Sequence, residues 1–146
     1  VYVDATVPEN GQNASGQFPQ ESASAESVSF SLPDDQWLFQ AVPPHVMCVT
    51  DPDDLKWVAD KRLPHPMRSL LEPLRLAHGE PNHIPRTFIH CRRQEELVKF
   101  FGANPLQASE EKAKREGFVW RELDTGHDAM ITKAAELADL LLEAVP

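Results

Sequence analysis

Cysteine is scarce in this chain. Its 146 residues include two, Cys48 and Cys91, in no Cys-x-x-Cys pattern, so no disulfide framework is expected and both are read as reduced thiols. Clustered basic residues are missing as well: 14 Lys and Arg stand against 23 Asp and Glu, a net charge of −9. Without a concentrated positive face there is no electrostatic footprint for a phosphate backbone, which argues against a nucleic-acid partner. No apolar run nears the roughly 20 residues that span a bilayer, and no charged-then-apolar targeting segment precedes the first element. The expectation is an acidic cytoplasmic protein with no membrane partner. An initiator Met is lacking, and the opening VYVDATVPENG starts inside a strand pattern, so the chain is expected to be a piece of a longer protein.

What is present suffices for one core. A composition that is 41% hydrophobic at this length predicts one domain or one large piece of a domain. The β-branched and aromatic residues of Val1 to Asp4 predict a strand, closed by Pro8 and a Glu-Asn-Gly turn signal. Asn13 to Ser31, rich in Ser, Ala, Gln and Glu, reads as a loosely packed connection. It is the one low-complexity tract, and there is no internal repeat. From Pro33 to Pro85 prolines punctuate the chain around two helical candidates. One has Asp51 as N-cap and Pro52 in the first helical position of DDLKWVADK; the other, MRSLLEPLRL, is interrupted by Pro73. A connection this long between core elements points to an inserted lid or cap.

A regular order follows. RTFIHC (86–91) predicts a buried strand, and EELVKFF a helix. Asn104 and Pro105 supply an N-cap and first-turn proline for LQASEEKAKRE, with Gly117 placed to end that helix. FVWREL (118–123) predicts the next strand, and Thr132 is placed to cap a last helix running to Val145. Strand, helix, strand, helix implies parallel pairing in an α/β fold.

In such sheets reactive groups collect where loops leave the carboxyl ends of strands. His127 sits four residues beyond Leu123, after Gly126, which allows a tight turn. By spacing alone it is either a structural loop residue or a catalytic base. Here the residues resemble a family: VYVDATVPENGQ, an insertion containing DDLKWVADKRLPHPM, RTFIHC, and GFVWRELDTGHDAMITKAAELADLLLEA are together similar to the C-terminal half of an α/β-hydrolase, nearest the small esterase and hydroxynitrile-lyase-like branch. The motif TGHDAMIT carries most of the likeness. The resemblance implies the last three parallel strands of a larger sheet with flanking helices, residues 1–8 and 85–146 forming core and 9–84 a mostly helical cap insertion. It also implies that His127 is the catalytic histidine.

That chemistry needs a serine on a G-x-S-x-G turn, activated by the histidine. The motif is absent. The nearest look-alike, GQNASGQ, has Asn13 in place of the first glycine, and Ser15 follows the first strand where the family's nucleophile precedes it. The expected function is therefore the C-terminal portion of a serine hydrolase of small carboxylic esters, inactive without the half that carries the nucleophile, with no cofactor and no metal. A hydroxynitrile-lyase-like enzyme and a non-catalytic truncated binding protein are the alternatives. A first strand stripped of one neighbour would also favour self-association through its exposed edge.

The acid that should orient His127 has two candidates, because Gln94 stands near the family's usual Asp after RTFIHC and carries no charge. Asp4, at the carboxyl end of the first strand, is placed ahead of Glu95; its alternative is a plain turn residue. Asp124 and Asp128 are read as structural. Trp57, on the cap helix, either walls the substrate pocket or simply packs. His78 and His83 in HGEPNH lack a third ligand at metal-binding spacing and are read as surface loop; His45, His65 and His90 are left without a role.

Overall fold

The computed structural model of the protein describes residues 1–17, 37–80 and 83–145. Most of the Ser/Ala-rich connection lies outside them.

Three parallel strands form the centre: β1 (Tyr2–Val3), β4 (Thr87–Cys91) and β5 (Val119–Leu123), in the order β1-β4-β5. Tyr2 lies opposite Phe88, and Thr87 to Cys91 run in register with Val119 to Leu123. β4 is central, and its residues point alternately to two covered faces, as a parallel sheet requires. Phe88, fully buried, packs with Val7, Ala113 and Phe118 on one side, while Ile89 and Cys91, also fully buried, pack with Leu123, Ala129 and Leu137 on the other. β5 is an edge. Its Val119, Arg121 and Glu122 are exposed, while Leu123 is buried and Trp120 turns inward, stacking on Phe88 at 5.3 Å.

The first face is covered by α4 (Gln107–Arg115) and the second by α5 (Ala129–Thr132) and α6 (Ala134–Glu143). α4 ends as its sequence predicts: Gly117 adopts φ +69, and the Phe118 N–H donates to the Ala113 carbonyl at 2.9 Å. Its start is set differently. Asn104 Oδ1 accepts from the Leu106 N–H at 2.9 Å, holding the turn before the helix, and the helix itself opens at Gln107 without a side-chain cap. The last helix is broken in two. Lys133, at φ −143 and ψ 45, interrupts it, and Thr132 closes α5 instead of capping α6.

Residues 37–80 carry α1 (Pro52–Lys61), α2 (Arg68–Leu71), a two-residue antiparallel pair of β2 (Leu38–Phe39) with β3 (His65–Pro66), and a 3-10 turn at Pro44–Met47. Asp51 caps α1 as predicted, accepting from the Asp53 and Asp54 N–H groups at 2.9 and 3.1 Å. α2 is shorter than its sequence pattern because Glu72 turns extended ahead of Pro73. Val42, Val46 and Met47 of this region bury themselves against Leu97 and Phe101 of α3 (Glu95–Phe101). That contact seats the region beside the carboxyl end of β4. Among the described residues no helix is long and apolar enough to cross a membrane.

Candidate functional site

Asp4 follows directly on β1, and its backbone takes φ +42, a left-handed conformation that costs a non-glycine residue roughly 1 kcal/mol but that Asp tolerates better than most. The turn keeps the strand ladder, with the Asp4 N–H donating to the Ile89 carbonyl at 2.8 Å. It also buries the carboxylate completely. A buried carboxylate has to be paired or hydrogen-bonded, and this one has three donors. Cys91 N–H and Gln94 Nε2 reach Oδ1 at 3.1 and 3.2 Å, and His127 Nδ1 meets Oδ2 at 2.8 Å.

His127 arrives from the other edge of the sheet. After β5 the chain is held by three anchors. Arg93 clamps Asp124 with two hydrogen bonds of 3.1 and 2.9 Å, its backbone N–H donates to the Thr125 carbonyl at 2.9 Å, and Asp128 pairs with Arg62 of the segment after α1. Arg62 also donates to the Val42 carbonyl. Between these anchors Gly126 passes so close to Cys48 and Met47 that a side chain would not fit. The glycine is thus required by close approach. The loop holds the imidazole partly exposed, its side chain 31% accessible.

With Asp4 ionised, Nδ1–H is the donor and Nε2 is left as the basic nitrogen. Among the described residues nothing hydrogen-bonds Nε2. The ring borders a cavity of about 520 Å³ whose walls are mostly apolar, among them Phe39, Val42, Met47, Leu97 and Phe101, with Asp4, Arg62 and Asp128 as its charged residues. No serine or cysteine lines it among the described residues. Neither thiol is an activated nucleophile either. Burial first, then Asp4 and Asp128, push Cys91 up to about 12; burial, reinforced by Glu95 and Glu96, also raises Cys48. Both cysteines are free thiols.

Of the candidates read from sequence, then, the structure joins Asp4 to His127. Glu95 is exposed in the first turn of α3 and does not border the cavity. Trp57, 55% exposed, lines a separate hollow of about 210 Å³ behind the Arg62–Asp128 pair. Ser15 is buried but donates to Asn13 at 3.1 Å. His78 and His83 are exposed, and among the described residues no group of His, Cys, Asp and Glu is arranged to hold a metal ion. Sequence reasoning missed Arg62 as an anchor of the loop and gave His90 no role. His90 Nδ1 lies 3.3 Å from Glu110 Oε1, an ion-pair contact without the alignment of a directed hydrogen bond.

No family model matches the chain, and neither a curated protein nor a solved structure matches it.

Proposed function

We propose that residues 1–146 act as the C-terminal portion of a serine α/β-hydrolase that cleaves small carboxylic esters. On this reading the three parallel strands are the last three of that enzyme's sheet and residues 9–84 its cap. The observation that supports it is the 2.8 Å contact of His127 Nδ1 with the buried Asp4 carboxylate beside an apolar cavity. A ring so held keeps one tautomer and one orientation, and the carboxylate stabilises the imidazolium formed when Nε2 takes a proton.

The chemistry follows. A serine hydroxyl, supplied by polypeptide outside these residues, attacks the ester carbonyl while its proton passes to His127 Nε2. His127 then protonates the departing alcohol. Water enters, loses its proton to the same nitrogen, and releases the acyl group as the serine is restored. The mostly apolar wall suits small acyl and alcohol groups, which gain by leaving water. Among the described residues β1 pairs with β4 alone, and its other edge would pair with a neighbouring strand of the complete sheet, or with a second copy when that strand is absent.

Turnover of p-nitrophenyl acetate tests this reading, measured for the chain alone and for the chain co-expressed with the polypeptide encoded upstream of Val1. The expected result is no His127-dependent turnover by the chain alone and restored turnover by the pair. Ester cleavage by the isolated chain that His127→Ala abolishes would overturn the need for an outside nucleophile.

A further inference from the structure

Gln94 occupies the N-cap position of α3, yet its side chain makes no capping hydrogen bond. Glutamine is a poor choice there, since Asn, Asp, Ser or Thr would close the helix start. The side chain is instead buried, at 9% exposure, and turned under the site. Its one amide nitrogen donates to Asp4 Oδ1 at 3.2 Å and to Glu110 Oε1 at 3.3 Å. Two hydrogens on one nitrogen can serve two acceptors at once. The same Glu110 oxygen accepts from Asn104 Nδ2 at 3.3 Å and lies 3.3 Å from His90 Nδ1. A continuous polar chain therefore runs beneath the sheet's carboxyl end, from His127 through Asp4, Gln94 and Glu110 to His90.

Both carboxylates want the positive end of a dipole, and a carboxamide nitrogen between them offers it without adding charge. A glutamate in its place would set a third anion between two. A shorter asparagine would not span them. Glu110, placed by α4 and held by Asn104, fixes the far side of the carboxamide, so the near hydrogen has one direction left, toward Asp4. Cys91 N–H holds the same Asp4 oxygen from the strand. Together the two donors fix the plane of the carboxylate and hence the line along which Oδ2 meets the ring.

We propose that Gln94 is a positioning residue for the Asp4–His127 pair, its carboxamide bridging Asp4 to Glu110 and so setting the carboxylate that orients the imidazole. The inference rests on the proposed role of that pair in ester cleavage, but its test needs no substrate. The His127 Nδ1–H signal in proton and nitrogen-15 NMR spectra of the whole chain reports the bond to Asp4 directly. Gln94→Met keeps the side chain's length and removes both donors; the signal should shift upfield and its exchange with water should quicken about tenfold, as expected when a buried bond opens more often. Glu110→Ala touches neither Asp4 nor His127 and releases the far side of the carboxamide, together with the contacts to Asn104 and His90. It should move the same signal in the same direction by less, and it decides the matter should Gln94→Met fail to give the dispersed spectrum of a folded chain. A Nδ1–H signal unchanged in position and exchange in the folded variants would overturn the proposal, whatever the ester assay shows. A failed ester assay with these NMR changes present would instead count against the hydrolase reading alone.

Discussion

Gly126 and Cys48 approach until no atom fits between them: a Cβ at Gly126 would lie 2.3 Å from Cys48 Cβ, 2.8 Å from its Sγ and 2.6 Å from the Met47 carbonyl oxygen. The turn that ends at Cys48 and the loop that carries His127 are thus in close contact. Two of the three atoms concerned belong to the backbone or sit next to it and cannot swing away. Gly126→Ala should therefore force the loop outward, lowering stability by about 1–3 kcal/mol and weakening the His127 Nδ1–H signal. Urea denaturation together with the NMR spectrum checks both effects. Cys48→Gly in the same background should recover part of the loss.

Asp4→Asn isolates charge from shape. Asn keeps an acceptor for Cys91 N–H, but its amide can present a donor to the ring, which favours the tautomer with the proton on Nε2. If the proposed function holds, the chain paired with the polypeptide encoded upstream should then lose about a thousandfold or more in kcat/KM, while stability changes by only about 1–2 kcal/mol. Nitrogen-15 shifts of His127 read the tautomer, and p-nitrophenyl acetate reads the rate.

The Arg62–Asp128 pair holds the loop from the end of α1, with side chains 24% and 11% exposed. Removing one partner leaves the other charge poorly solvated, so Arg62→Met and Asp128→Asn should each cost about 2–4 kcal/mol. The double variant should cost less than the two together, because neither charge is then stranded. A double-mutant cycle in urea gives the coupling directly.

His90 and Glu110 make stability depend on pH in a defined window. The short contact with Glu110 is the largest influence raising His90 above its ordinary 6.5; burial opposes it, and the charges of Glu110, Asp4 and Glu122 add to it. Burial pushes Glu110 upward, but contacts with His90, Asn104 and Gln94 outweigh it and hold the carboxyl below 4.5. The His90 contribution is complete below pH 6.5 and is lost as pH rises through the raised folded midpoint. The Glu110 contribution is complete above pH 4.5 and is lost as pH falls through the lowered one. The stability gap between the native chain and His90→Gln should accordingly be widest between about pH 4.5 and 6.5 and narrow on either side, which urea midpoints measured across pH would show.

Local chemistry made several elements readable. Asp51 before Pro52, Gly117 after a run of helix formers, and the apolar run at 87–91 each act through their own backbone or immediate neighbours, and each is found where its pattern places it. The start of the last helix is not legible in sequence because Thr132 is a good capping residue in isolation. In the folded chain its hydroxyl instead meets Thr125 and donates to the Asp128 carbonyl, and the break falls at Lys133. Gln94 follows the central strand at the place where the resemblance implies an acid, but nothing in a linear string says that its amide faces an Asp 90 residues away.

Sequence alone determined that this is an α/β chain with parallel strands, because periodicity and turn chemistry act over a few residues; the family resemblance then singled out His127 and Asp4 among the groups at strand ends. Which carboxylate meets the imidazole, why position 126 tolerates no side chain, and how Arg62, Gln94 and Glu110 support the pair were decided by tertiary structure. Those relationships depend on contacts between segments 16 to 123 residues apart, and only the packing of the sheet against its covering segments brings such segments to hydrogen-bonding distance.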